Sequence, residues 1–143
     1  MKALFLVLGY FSILLSLSGC GGAEPECDSS ESRTSVVKTI ADDNNNALVN
    51  YAANNSSVVA AMVGSANAEA DRLMILETAK RGAVYKLDDT IRMNSKNRAA
   101  HVVTCSGILD VTVADTTAEK QVDFRVEQTA DGKMTVLVDP FLF

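Results

Sequence analysis

From Tyr85 onward the hydrophobic pattern has a period of two. Tyr85, Leu87, Ile91 and Met93 alternate with Lys86, Asp88, Thr90 and Arg92, and Val122, Phe124 and Val126 alternate with Gln121, Asp123, Arg125 and Glu127. Successive strand side chains point to opposite faces, so these runs predict half-buried strands. His101 to Val113 and Lys133 to Asp139 complete a set of four, with turns expected at Asn94-Ser95-Lys96-Asn97, over Ala114 to Lys120, and at Ala130-Asp131-Gly132. Strands joined by short turns form an antiparallel meander. With Asn97 left-handed at the end of a three-residue loop, Leu87 faces Cys105 and Tyr85 faces Gly107, where a ring can cover bare backbone. The same loop type at Ala130-Asp131-Gly132 places Val126 opposite Val136 and Phe124 opposite Val138.

Upstream the period is helical. Asp28 or Ser29 can cap a helix on which Val36, Val37 and Ile40 recur, running over 29–43 or, through Ala47, Leu48 and Tyr51, as far as 52. The stretch 42–67 is rich in Asn, which competes for backbone hydrogen bonds and favours turns. Val58 to Val63 predicts a further short helix that Gly64-Ser65 stops. A helix over 67–81, capped by Ser65 or Asn67, opens with Glu69 and Asp71 and ends with Lys80, Arg81 and Gly82, matching the helix dipole. Its Leu73-Met74-Ile75-Leu76 cluster reads alternatively as a short buried strand. The expected fold is α+β, two or three N-terminal helices packed on a four-stranded antiparallel meander. In order and architecture this resembles the cystatin-like and nuclear-transport-factor-like rolls, a likeness that implies no activity.

The chain begins Met1-Lys2, and Ala3 to Leu17 is apolar apart from Gly9, Ser12 and Ser16. As a helix this run spans about 22 Å, short of the roughly 30 Å hydrocarbon core, and reads as a signal-peptide core. It ends in Leu17-Ser18-Gly19-Cys20, which resembles the bacterial lipobox. The resemblance implies a signal peptide over 1–19, diacylglyceryl on the Cys20 thiol, and cleavage before it. Residues 20–27 are then a lipidated cysteine and short tether, and 28–143 a periplasmic domain. Cys20 is not followed by Asp, which in enteric-type sorting implies the outer membrane. Tyr85-Lys86-Leu87 to Ile91-Arg92 and Val103-Thr104-Cys105 are also similar to small bacterial lipoprotein domains of uncharacterised function.

Cys27 and Cys105 are an even pair in an exported domain and predict a disulfide, which requires the first helix to cross the sheet. Without Lys2, 12 bases face 18 acids, so phosphate backbones are repelled and no nucleic-acid partner is expected. Asp42-Asp43 and Asp88-Asp89 lack the oxygen spacing of a calcium loop. No metal or cofactor is expected. In the predicted register His101, the single imidazole, lies on the apolar side diagonal to Asp89; an acid/base pair is one reading, but with no nucleophile or metal set spaced nearby they are read as a polar pair satisfying each other near the sheet edge, or Asp89 as sitting in a bulge and facing water. The chain is therefore not expected to be an enzyme. The apolar ending Phe141-Leu142-Phe143 is expected to fold back on the core or enter a partner's groove. The functional expectation is an outer-membrane-anchored lipoprotein whose periplasmic domain binds a protein partner, in an envelope accessory, pilotin-like or exclusion role. The alternative is a small-molecule or lipid carrier.

Overall fold

A computed structural model describes residues 23–139. The leader, Cys20 and the Phe141-Leu142-Phe143 ending lie outside the described residues. The architecture is α+β, with four helices followed by an antiparallel sheet.

Helix α1 (Ser30–Ala41) starts where Ser29 Oγ accepts from the Ser32 N–H at 3.1 Å, and it buries Ser32, Val36 and Ile40 along one stripe. It touches β1 and β5, which lie at opposite edges of the sheet, so it crosses the sheet as a bridge from Cys27 requires. The helix does not run on to 52. Asp43 turns the chain by accepting from the Asn45 N–H at 2.9 Å, and Asn46 caps a separate α2 (Ala47–Asn55), its Oδ1 accepting from the Val49 N–H at 2.9 Å. Leu48, Val49, Ala52 and Ala53 of α2 are buried, and α2 lies against β3 and β4.

Ser56 is both the C-cap of α2 and the N-cap of α3 (Ser57–Ser65). Helix α4 (Glu69–Arg81) follows, so Leu73 to Leu76 are helical. Its N-cap is Ala68, without a side-chain cap bond, whereas Ser65 Oγ donates to the Met62 carbonyl. Neither Ser65 nor Asn67 caps it, because the helix starts later than expected.

The sheet is a meander whose first strand is broken. β1 (Val84–Leu87) and β2 (Arg92–Asn97) both pair with β3 (Val102–Val113), which pairs with β4 (Thr116–Gln128), which pairs with β5 (Met134–Val138). On the covered face Val103, Cys105, Leu109, Val111 and Val113 of β3 meet Ala118, Val122, Phe124 and Val126 of β4, all at most 5% exposed. The predicted second hairpin is present: Val126 faces Val136 and Phe124 faces Val138, and Gly132 takes φ +82° at the end of the turn.

The first hairpin is corrected. Leu87 faces Leu109 and Tyr85 faces Val111, while Met93 stands opposite Cys105. The chain leaves the ladder at Asp88–Thr90, where the Asp88 carboxylate accepts from the Asp89 N–H and the Thr90 hydroxyl, and shifts again between Met93 and Ser95. Ser95-Lys96-Asn97 is strand, and the turn is Arg98–His101, with His101 rather than Asn97 at positive φ. Gly107 is covered by Leu87 and Ile91, not by Tyr85; a Cβ there would meet Leu87 Cδ1 at 3.1 Å. The second of the expected turns, over Ala114 to Lys120, is shorter than predicted. β4 starts at Thr116, leaving Ala114-Asp115 as the turn, with Ala114 at φ 52°.

Candidate functional site

Cys27 and Cys105 are joined by a disulfide with Cα atoms 5.7 Å apart. It ties the segment before α1 to the centre of the sheet and is buried, so its part is structural. His101 and Asp89 are not brought together as a pair. With the register shifted, His101 is exposed in the β2–β3 turn. Asp89 forms an ion pair with Arg33 at 2.7 Å. Arg33 also donates to the Leu87 carbonyl at 2.9 Å and pairs with Asp28 at 2.7 Å, an interaction that raises the guanidinium's proton affinity. This cluster clamps α1 to the end of β1. Among the described residues no group of three His, Cys, Asp or Glu could hold a metal ion, and no helix is long and apolar enough to cross a membrane.

The feature that packing leaves unexplained is the hairpin of α3 and α4. Helix α3 has Val58, Val59, Ala60, Ala61, Met62 and Val63 in one uncharged run, yet Val59 is the only residue it buries fully. On α4 the fully buried residue is Lys80, while Leu73 is 56% and Met74 60% exposed. Val58 and Met62 are also exposed. Burial in the core therefore does not account for these apolar side chains. Between the helices runs an open groove of about 510 Å³ with Val59, Val63, Leu73 and Leu76 on its walls. Glu69 and Arg72 stand at its side, 3.7 Å apart as an ion pair.

Two polar clusters hold this hairpin on the body. Asp115, in the β3–β4 turn, accepts from Ser56 Oγ at 2.5 Å, from Ser57 Oγ, and from the Val58 N–H at 3.4 Å. The two hydroxyls, Ser56 first, hold its pKa down to about 2. In the last turn of α4, Lys80 Nζ reaches Asn45 Oδ1 at 2.9 Å, Asn50 Oδ1 at 3.4 Å and the Glu77 carboxylate at 2.5 Å. Sequence reasoning took Lys80 as a dipole partner and Asp115 as loop. What the pattern did register was the Leu73 to Leu76 cluster, without its exposure, since periodicity shows which residues share a face but not whether a neighbour covers it.

Compared with known proteins, the chain matches no protein family, no curated protein and no solved structure.

Proposed function

We propose that the chain is a bacterial lipoprotein, acylated at Cys20, anchored on the periplasmic side of the outer membrane, and that its α+β domain binds a protein partner rather than catalysing a reaction. An envelope accessory, pilotin-like or exclusion role fits this description. The anchor rests on Leu17-Ser18-Gly19-Cys20 at the end of the leader. Export is supported by the Cys27–Cys105 bridge, which persists in oxidising compartments. The proposed fold is a cystatin-like or nuclear-transport-factor-like roll, supported by α1 crossing the face of the meander.

The observation that carries partner binding is the exposure of the large apolar side chains Val58, Met62, Leu73 and Met74 on α3 and α4. The covered face of the sheet, by contrast, is filled by Phe124, Leu48, Leu109 and Val36, which are at most 1% exposed. The open α3–α4 groove favours, as a second reading, a carrier of a lipid or small apolar molecule.

Crosslinking in intact envelopes tests both readings when wild type is compared with a Leu73→Glu/Met74→Glu variant of equal abundance and unchanged thermal unfolding. The expected result is a discrete crosslinked protein that the variant loses. A lipid or small molecule that purifies with wild type and not with the variant supports the carrier instead. Identical crosslinks and no bound molecule in either protein reject this surface as the site.

A further inference from the structure

The segment that leaves the domain toward Cys20 is seated on one end of the sheet. Gln128 Nε2, at the end of β4, donates to the Ala23 carbonyl at 3.3 Å, and Lys96 Nζ, near the end of β2, pairs with the Glu24 carboxylate at 2.5 Å. The Lys96 partnership lowers the proton affinity of Glu24. Pro25 is buried, and the space between Glu24-Pro25 and the Lys96–His101 stretch is only about 10 Å³, room for one water at most. Glu24 and Pro25 are therefore seated against the β2–β3 turn, and Ala23 is held through its carbonyl by Gln128. Two residues, Gly21 and Gly22, separate Ala23 from Cys20, three Cα–Cα steps with a contour of at most about 11 Å.

That end has a particular charge arrangement. Three of its acids are ion-paired: Glu24 with Lys96, Glu127 with Arg125 at 3.4 Å, and Asp131 with Lys133 at 3.2 Å. Arg98 forms none of those three pairs, although after Lys96 its charge also lowers the proton affinity of Glu24, and the turn Arg98-Ala99-Ala100-His101 is exposed throughout. The whole chain carries a formal charge of −5, so a general attraction to an anionic surface is excluded and only a local cationic contact can serve. A cation within about 10 Å of such a surface lies inside the screening length.

We infer that the turn Arg98–His101 is a membrane-contacting loop, with Arg98 placed on the anionic phosphates of the lipid headgroups beside the Cys20 anchor. The inference rests on the proposal that Cys20 is acylated. It also sets the molecule's polarity. The Asp115 turn, which holds the start of α3, is at the far end of the long β3–β4 hairpin, so the apolar α3–α4 surface is carried away from the membrane.

The chain has no Trp, which makes Ala99→Trp a unique fluorescent reporter. Acylated protein purified from membranes is reconstituted into vesicles of phosphatidylcholine, alone or mixed with phosphatidylglycerol, with and without brominated acyl chains. Thr117→Trp, exposed next to the Asp115 turn, is the distal control. The expected result is a blue shift and bromine quenching for Ala99→Trp and neither for Thr117→Trp. Adding Arg98→Glu to Ala99→Trp should remove the increment due to phosphatidylglycerol, since each surface cation changes membrane affinity about fivefold. Acylation is read separately from the mass of the N-terminal peptide. If Cys20 is acylated and Ala99→Trp is no more quenched than Thr117→Trp, the contact is overturned and the anchor stands. An unmodified Cys20 overturns both.

Discussion

The Asn46 side-chain amide donates to the Tyr85 hydroxyl at 2.9 Å, joining the cap of α2 to β1 across 39 residues of sequence. The same amide nitrogen lies 2.8 Å from the Asp43 carbonyl and 3.3 Å from that of Ile40, while its oxygen caps Val49. One buried side chain thus fixes the end of α1, the start of α2 and the edge of the sheet. Burial raises the Tyr85 pKa, and the Asn46 bond partly offsets this.

Asn46→Ala is expected to cost about 2 kcal/mol, the sum of a lost N-cap and of polar groups left without a partner. Asn46→Asp should recover the cap but not the donors, and so fall between the two. Urea unfolding at neutral pH measures the order; equal stability of Asn46→Ala and wild type would refute the role of this side chain.

Removing the Cys27–Cys105 bridge releases a loop with a sequence separation of 78 residues. The chain-entropy model puts the loss at up to about 4.5 kcal/mol. Melting with and without reductant, and of a Cys27→Ala/Cys105→Ala variant, should agree on a drop of several kcal/mol. Two reactive thiols in the unfolded, unreduced protein would show that the bridge does not form.

Asp115 is expected to link the α3 junction to pH. Its folded pKa of about 2 lies below the ordinary 3.8, so its contribution is complete above pH 3.8 and disappears as pH falls through the folded value. The melting-temperature gap between wild type and Asp115→Ala should therefore be widest near neutrality and close toward pH 2. A gap independent of pH would mean that the carboxylate charge is not what Ser56 and Ser57 hold.

The difference between the two hairpin predictions has a local cause. At Ala130-Asp131-Gly132 the turn is written in adjacent residues: the Gly132 N–H donates to the Thr129 carbonyl and the Thr129 N–H to the Lys133 carbonyl, both at 2.8 Å, and only the glycine has to be left-handed. Register then follows from the turn. The first hairpin depends on two irregularities far from its turn, Asp88–Thr90 and Asn94, which no alternation of apolar residues signals. Thr116 to Lys120 reads as turn and not as strand because Ala118 is the one buried apolar residue in it. The break between α1 and α2 was present in the Asn-rich stretch, but which Asn became the cap is decided by tertiary contacts with Tyr85. The candidate site was partly legible as a cluster at Leu73 to Leu76; its exposure depends on where α2 and the sheet sit.

Gly82 and Gly132 should respond oppositely to Ala. Gly82 has φ −85°, and an added Cβ meets only ordinary contacts at 3.6 Å, so Gly82→Ala should stabilise by about 0.4 to 1 kcal/mol through the unfolded chain. Gly132 has φ +82°, and Gly132→Ala should cost roughly 1 to 2 kcal/mol. Denaturant midpoints with unchanged slopes provide the measurement; a shared sign would contradict these backbone conformations.

The position of Cys27 has a mechanical consequence. Tension applied to the chain ahead of it passes through the sulfur bridge directly into β3, which is hydrogen-bonded on both sides by β1, β2 and β4. Helix α1, next in sequence, is bypassed and not peeled from its seat. A tug at the amino-terminal end is thereby borne in shear by a central strand, and under reducing conditions the same tug would unravel Ser30–Ala41 first.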